Sequence, residues 1–380
     1  MVADELGARL RRRIEDSGPI TFADFMEAAL YDPEGGFFEG GDGRPGSVVG
    51  SAGDFVTSPH VGALFGTLIA RLVGEARELL DGPPLFTVVE VGAGDGTLAA
   101  DLAAGLTDRD AVELALVERT AAHRARLATL LPALPVRARL VGAVSELAPR
   151  SVVGCMVANE LVDNLPFHRV RRQAAGPVEL YVGLDGGDLA LVEGPPSSSE
   201  VAEAARGLEV GQEGLLAAGA RAFLAEAAEA LDRGYVVLID YPSVASGGGA
   251  GAVHGYRAHH PVNDVLARPG YTDVTVGVDF EALAEDAGAV GFRSWGSVTQ
   301  RDLLRSLGYG GELDRMLRRQ TELLNGGRGA EAARVFAERS RASLLIDPAG
   351  LGGFRALCLS KGVSEAPRPW GSGRSGGRPG

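Results

Sequence analysis

The chain has 380 residues, of which 45% are hydrophobic and 23% are charged, enough for one large core or two ordinary ones. Its formal net charge is −13, and so acidic a chain is poorly suited to non-specific nucleic-acid binding, which depends on neutralising phosphates. No run approaches the roughly 18 to 20 apolar residues that a transmembrane helix needs, so we expect no membrane span.

The cysteines and histidines argue against a metal site. Cys155 and Cys358 stand in apolar stretches and are expected to be buried free thiols. The six histidines are scattered, and there is no Cys-x-x-Cys pair. No apolar segment follows the Arg-rich start, so a secretory signal is not expected. These features predict a reducing, cytoplasmic setting.

The first 80 residues are predicted to form an N-terminal unit of helices joined by an irregular stretch. Two short helices are expected within residues 4–31, the second from Phe22 to Leu30 with Thr21 as its cap. A glycine-rich stretch then ends at Pro59, and a helix from Val61 to Leu80 follows.

Strands and helices then alternate. The expected strands are Leu85–Val91, Val112–Val117, Val136–Val141 and Val152–Ala158, with helices starting at Thr97 and covering Ala121–Leu131.

The pattern changes after the fourth of these strands. Short strands with Gly-rich turns, at Phe167–Val170, Val178–Val182 and Leu189–Val192, predict an antiparallel insertion over about residues 167–212. The later elements are a helix Glu213–Asp232, a strand Tyr235–Asp240, helices Phe280–Ala287, Arg301–Leu307 and Leu313–Leu324, and a strand Phe354–Ser360. Residues 365–380 are rich in Pro, Gly, Ser and Arg and are expected to be disordered.

Strand–helix alternation across residues 85–240 predicts an α/β fold with a doubly wound, mainly parallel sheet. We therefore divide the chain into N-terminal helices (1–80), a core with its insertion (81–300), C-terminal helices with the last strand (301–364) and the tail. Ligands bind such sheets beyond the carboxyl ends of the strands, so the residues after each strand are the candidates for a site.

A glycine turn with two acids follows the first strand. A dinucleotide fingerprint, Gly-x-Gly-x-x-Gly, would place its third glycine at Thr97, but here the third glycine comes one residue earlier. Carboxylates at Glu90 and Asp95 repel pyrophosphate but suit a ligand that carries an ammonium and a sulfonium. The turn therefore favours S-adenosylmethionine (SAM) over NAD, and its candidate residues are Glu90, Gly92, Gly94, Asp95 and Gly96.

Glu118 ends the second strand. A carboxylate at this place can accept hydrogen bonds from both ribose hydroxyls of an adenosine, although it could also be an acid that caps the next helix. Together with Asp95 it favours an adenosine-containing ligand.

Polar residues follow the fourth strand, over the expected position of the transferred methyl group. Asn159 would orient the accepting nitrogen, while Glu160 and Asp163 would hold a cationic group through charge-assisted hydrogen bonds, and one of them would take the released proton. The alternative is that Asn159 and Asp163 only cap a turn.

Several segments resemble the MidA-type methyltransferases, in order from about Gly18 to Lys361. The similar segments are residues 54–59, 92–97, 117–118, 158–166, 240–241, 254–257, 278–280 and 298–304. The resemblance implies a class I, Rossmann-like SAM methyltransferase in which Thr57, Ser58 and Pro59 fold over SAM and Asn159 and Glu160 face the acceptor. Two departures are Pro242, where the family often has Gly, and His60, where it usually has an acid.

The family includes the mitochondrial complex I assembly factor that methylates arginine. The resemblance therefore implies a protein arginine as acceptor, with a complex I subunit as one candidate partner. A small molecule or peptide of specialised metabolism, and a non-catalytic SAM-binding assembly factor, remain alternatives. The sequence leaves open the acceptor atom, the degree of methylation and the oligomeric state, a homodimer among the options.

Overall fold

The structure is a computed structural model, and it describes residues 4–39, 57–243, 253–257 and 260–371. Its strands are β1 (Ile20–Thr21), β2 (Phe86–Val91), β3 (Val112–Val117), β4 (Arg137–Val141), β5 (Val152–Asn159), β6 (His168–Gln173), β7 (Gly176–Asp185), β8 (Asp188–Gly194), β9 (Glu213–Leu216), β10 (Leu231–Asp240), β11 (Val253–Arg257), β12 (His260–Val262), β13 (Asp273–Val276), β14 (Arg293–Thr299) and β15 (Arg355–Lys361).

Its helices are α1 (Glu5–Ser17), α2 (Phe22–Tyr31), α3 (Ser58–Val61), α4 (Leu64–Leu79), α5 (Thr97–Gly105), α6 (Ala121–Leu130), α7 (Ser199–Ala204), α8 (Ala218–Ala230), α9 (Phe280–Ala289), α10 (Gln300–Ser306), α11 (Tyr309–Asn325), α12 (Gly329–Ala342) and α13 (Arg368–Gly371). Within the described ranges, no helix is long and apolar enough to cross a membrane.

A seven-stranded sheet in the order β14-β15-β10-β5-β2-β3-β4 forms the centre of the molecule. The five strands from β10 to β4 are parallel, and β15 runs antiparallel to both β10 and β14. This arrangement confirms the predicted α/β class with a mainly parallel, doubly wound sheet.

Successive side chains of a strand point to opposite sides of the sheet, and here other elements cover both sides. Along β2, Val88 packs in one cluster with Leu68 of α4 and Leu102 of α5, whereas Val89 packs in another with Leu224 of α8. Burial on both faces explains why the central strands are almost continuously apolar.

The predicted antiparallel insertion is present and is joined to the N-terminus. Strands β6, β7, β8 and β9 form a sheet to which β1 adds through Ile20 and Thr21. Phe22 and Phe25 of α2 are fully buried in one cluster with Phe167 at the start of the insertion. Thr21 caps α2 as expected, accepting a hydrogen bond from the Asp24 amide at 3.0 Å.

Two predictions were wrong in this part of the chain. The segment at Glu213 does not begin a helix: it is strand β9, whose pairing with β6 outweighs its local helical pattern, and α8 starts only at Ala218. Residues 365–371 of the predicted disordered tail are ordered, since the Trp370 ring is buried against the core and its Nε1 donates to the Ala356 carbonyl at 3.3 Å, while residues 372–380 lie outside the described ranges. Helix α12 and strands β11 to β14 were not predicted.

Candidate active site

The glycine turn between β2 and α5 is built from left-handed backbone. Gly92, Gly94 and Gly96 have φ angles of 75°, 55° and 84°, which side chains other than glycine adopt at a cost. At Gly96 a Cβ atom would also lie 2.5 Å from Leu130 Cδ2. The glycines are therefore required by the turn, which leaves backbone amides at the start of α5 close to the space above the sheet.

Glu90 is buried beneath this turn. Burial, together with the neighbouring Asp95 and Glu118 carboxylates, raises its pKa well above the usual range. Its Oε2 atom is buried and has no hydrogen-bond partner. A buried oxygen without a partner is costly, so this atom indicates a missing ligand group that donates a hydrogen bond.

Glu118 has a carboxylate that is already held in place. Its Oε2 accepts from the Gly94 amide at 2.9 Å, and its Oε1 accepts from both the amide and the hydroxyl of Thr120 at 2.8 Å. These bonds connect the end of β3 to the glycine turn. Each carboxylate oxygen has two acceptor sites, so Oε1 is fully used and Oε2 keeps one site, enough for one ribose hydroxyl.

His60 is a site residue that the sequence indicated only as a departure from the family. Its Nε2 lies 2.9 Å from Asp95 Oδ2, and its Nδ1 lies 2.6 Å from Thr57 Oγ1. Burial by itself raises the pKa of Asp95, but hydrogen bonding from His60 and Thr97 outweighs it and lowers the pKa to about 2. The His60 ring thus ties the segment before α4 to the glycine turn.

Asn159 and Glu160 lie where β5 ends. Glu160 has a φ of 53°, a conformation that costs a non-glycine residue about 1 to 2 kcal/mol, and its amide donates to the Ile239 carbonyl at 2.8 Å. Its Oε1 accepts from Asn159 Nδ2 at 3.0 Å and from the Ser58 amide at 3.3 Å. Burial and the nearby Asp163 raise the pKa of Glu160 to about 7.

Asp163 does not reach the same space as Glu160. It lies in a 3-10 turn, and its Oδ2 accepts from Thr275 Oγ1 at 2.7 Å, so the expected direct contact with an acceptor has no geometric support. Burial raises its pKa to about 6, although the hydrogen bond from Thr275 acts to lower it. Asp163 acts on the site as a buried charge behind Glu160.

Asp240, at the end of β10, holds this turn in place. Its Oδ2 accepts from the amides of Val162 and Asp163 at 2.9 and 3.2 Å, and its Oδ1 accepts from the Tyr241 amide at 2.9 Å. Burial and the Asp163 and Glu160 carboxylates raise the pKa of Asp240 well above the usual range.

A cavity of about 640 Å³, a size usual for a ligand site, joins these features. Nine of the twelve predicted site residues line it: Thr57, Pro59, Glu90, Gly92, Gly94, Asp95, Glu118, Asn159 and Glu160. Gly96 and Asp163 stand behind that lining, and Ser58 is buried with its hydroxyl 3.0 Å from Gln300 Oε1. Tyr31 and Phe38, which the sequence did not indicate, add aromatic walls. The predicted residues 53–56 lie outside the described ranges.

The polar groups that line the cavity fit SAM. Glu90 Oε2 and Asn159 Oδ1 are buried acceptors without a partner, and they lie on the strands whose ends flank the glycine turn. Glu118 supplies a carboxylate at the adenosine end, Asp95 supplies negative charge toward an ammonium and a sulfonium, and Glu90 supplies an acceptor oxygen. In the described part of the chain, no group of His, Cys, Asp and Glu could hold a metal ion.

A family model and two relatives of similar sequence are described as methyltransferases. Residues 68–298 match a family model described as S-adenosyl-L-methionine-dependent methyltransferase. The protein arginine methyltransferase NDUFAF7 of Danio rerio is 26% identical over 81% of this chain and 78% of its own length. Its Drosophila melanogaster homologue is 29% identical over 95% of this chain and 86% of its own length.

A solved structure is similar over almost the whole chain. It is a COG1565 superfamily member from Burkholderia thailandensis bound to S-adenosyl-homocysteine, with a TM-score of 0.80 and 26% identity over 98% of this chain and 96% of that one. The glycine turn, the carboxylates at the strand ends and the match over more than half of the residues lead to one assignment. The chain belongs to the MidA-type family of SAM-dependent methyltransferases.

Proposed function

We propose that the enzyme transfers the methyl group to a guanidinium nitrogen of an arginine in a protein. The observation that carries this proposal is a group of three carboxyl groups without cationic partners, two of them buried and one half-buried at the cavity. Glu160 lines the cavity, and Asp163 and Asp240 lie behind it. Among the described residues, no arginine or lysine forms an ion pair with any of the three.

Such a group favours a cationic acceptor. The raised pKa values of the three groups show that negative charge is disfavoured when they stand together, and an acceptor with a positive charge favours their ionised forms where a neutral one does not. A guanidinium also presents paired N–H donors that match a carboxylate and the free Asn159 Oδ1.

The proton of the reaction has an acceptor in Glu160. SAM supplies an electrophilic methyl group on its sulfonium, and the guanidinium nitrogen that gains this methyl must lose one proton. With a pKa of about 7, the Glu160 carboxylate can take that proton near neutral pH. Asn159 holds the Glu160 Oε1 at 3.0 Å and so fixes where the proton is received. Positioning of this kind supplies much of the rate in methyl transfer.

The similar proteins support the acceptor class. The Danio rerio and Drosophila melanogaster relatives are protein arginine methyltransferases, at 26% and 29% identity. They are mitochondrial, whereas the cysteine pattern favours a cytoplasmic setting for this chain. A complex I subunit is the first partner to test, and a homodimer is the first assembly to test.

The test is to incubate the enzyme with methyl-labelled SAM and a cell lysate, and then to separate protein from small molecules. We expect label in the protein fraction and, after digestion, the added mass of a methyl group on an arginine. Excess S-adenosyl-homocysteine is the control, since it should remove the signal by occupying the cofactor site. Label that moves from SAM only to another small molecule would refute the proposal and favour a small-molecule acceptor.

A further inference from the structure

Gln300 is a fully buried amide whose orientation is fixed by its surroundings. It begins α10 directly after β14, and its side-chain Nε2 donates to the Leu345 carbonyl at 3.1 Å. A carbonyl oxygen can only accept a hydrogen bond, so the NH2 group of the Gln300 side chain must face Leu345. Oε1 therefore points the other way and accepts from the Ser58 hydroxyl at 3.0 Å. The amide thus joins the C-terminal part of the chain to α3.

Ser58 continues this connection into the cavity wall. It is also fully buried, and its backbone amide donates to Glu160 Oε1 at 3.3 Å. The Gln300–Ser58 contact links residues 242 positions apart, and the Ser58–Glu160 contact links residues 102 positions apart. Three separate segments therefore meet in one hydrogen-bonded relay that ends on the carboxylate facing the cavity.

We propose that Gln300 is a positioning residue for methyl transfer, which acts through Ser58 to hold the Glu160 carboxylate in its ionised, accepting state. This inference rests on the proposed role of Glu160 as proton acceptor. Gln300 thus acts on the reaction without touching the reacting atoms.

The charges around Glu160 explain why one amide donor matters. Burial raises the pKa of Glu160, and Asp163 raises it further, while Asn159, the Ser58 amide and His60 lower it. Asp240 is the other carboxylate that interacts with it. Breaking the Gln300–Ser58 bond leaves the Ser58 amide in the chain but removes the contact that holds it in place, so this donor is less well aligned with Glu160 and more of the Glu160 side chain would be protonated at neutral pH.

The test compares single-turnover methyl transfer across pH, at saturating SAM, in the wild type, Gln300→Met, Ser58→Ala and the double variant. In each variant the Ser58 amide remains and only its alignment is lost, so we expect the pH at which the rate is half-maximal to rise by up to about one unit, the scale of one whole hydrogen bond to a charged group. The double variant should shift no further than the larger single shift, because both changes break the same relay.

Tyr309→Phe is the matched control. Its hydroxyl donates to the Ala342 carbonyl at 3.0 Å, a buried bond to the same C-terminal region that does not reach Ser58. This variant should keep the wild-type pH profile, even if it melts at a lower temperature.

An unshifted profile in Ser58→Ala, or shifts that add in the double variant, would overturn the relay. Ser58→Ala leaves the Gln300–Leu345 bond intact, so it decides the matter even if Gln300→Met does not fold. The comparison can use whichever acceptor carries label, so a non-arginine acceptor would refute the proposed function without deciding the relay. If the wild-type rate did not fall at low pH, the reaction would not need an ionised Glu160. That result would refute the relay itself.

Discussion

Each of four adjacent parallel strands places a buried or half-buried carboxyl group at its carboxyl end. These are Glu90 on β2, Glu118 after β3, Glu160 after β5 and Asp240 on β10. Backbone amides satisfy Glu118 and Asp240, whereas Glu90 keeps an unpartnered oxygen. Glu118 and Asp240 thus hold the turns in place, whereas Glu90 presents an acceptor oxygen and Glu160 a carboxyl group to the cavity.

Glu118 offers a prediction for cofactor binding. Glu118→Ala should weaken SAM binding by roughly ten- to a hundred-fold, because it removes the ribose acceptor and frees the Gly94 amide. Calorimetry measures the effect. Glu113→Ala, on the same strand but ion-paired with Arg139, is the control and should bind as the wild type does. Wild-type affinity in Glu118→Ala would remove this residue from the site.

At the scale of residues, sequence patterns predicted the site residues that directly follow a strand. They missed the residues that contact the site from other parts of the chain. Glu118 and Glu160 stand at strand ends, which strand periodicity locates. Asp163 comes three residues into a turn, and no local pattern says which way its side chain points. His60 and Gln300 enter the site through tertiary contacts that sequence spacing does not encode.

At the scale of elements, the segment that was expected to act as a lid is anchored at three points. His60 contacts Asp95, and Ser58 contacts both Gln300 and Glu160. The helices before it share a core with the insertion. Deleting residues 1–59 would therefore expose the face that buries Phe167, in addition to removing the segment.

The C-terminal residues provide a stability prediction. A chain ending at Glu365 loses the buried Trp370 ring and its bond to Ala356, so its free energy of unfolding should fall by about 3 kcal/mol. A chain ending at Gly371 is the control and should match the full-length protein. Denaturant unfolding measures both, and equal midpoints would show that Trp370 does not pack as described.

The errors at this scale have one cause. Strand β9 and the ordered segment around Trp370 are stabilised by partners distant in the chain, β6 and the β15 strand, and not by local propensity. The central strands were predicted well because burial on both faces makes them apolar in the sequence itself.

At the scale of the molecule, the parallel sheet, the N-terminal segment and helix α8 line a cavity that suits an adenosine joined to a positively charged group. SAM and S-adenosyl-homocysteine should raise the melting temperature by roughly 4 °C or more at concentrations far above Kd, whereas NAD should not. The early third glycine and the acids near the turn disfavour a pyrophosphate. Equal stabilisation by NAD would contradict this assignment.

The most direct test of the central claim is the rate of methyl transfer to the arginine acceptor in Glu160→Gln, measured across pH beside the wild type. The wild-type rate should rise with pH through about 7, as the Glu160 carboxylate ionises and can take the proton. The variant keeps the side-chain shape, so SAM affinity and melting temperature should stay near wild type. Its rate should fall by at least about a hundred-fold and lose the rise. Normal turnover in Glu160→Gln would show that this carboxylate takes no proton and that the turn after β5 is scaffolding.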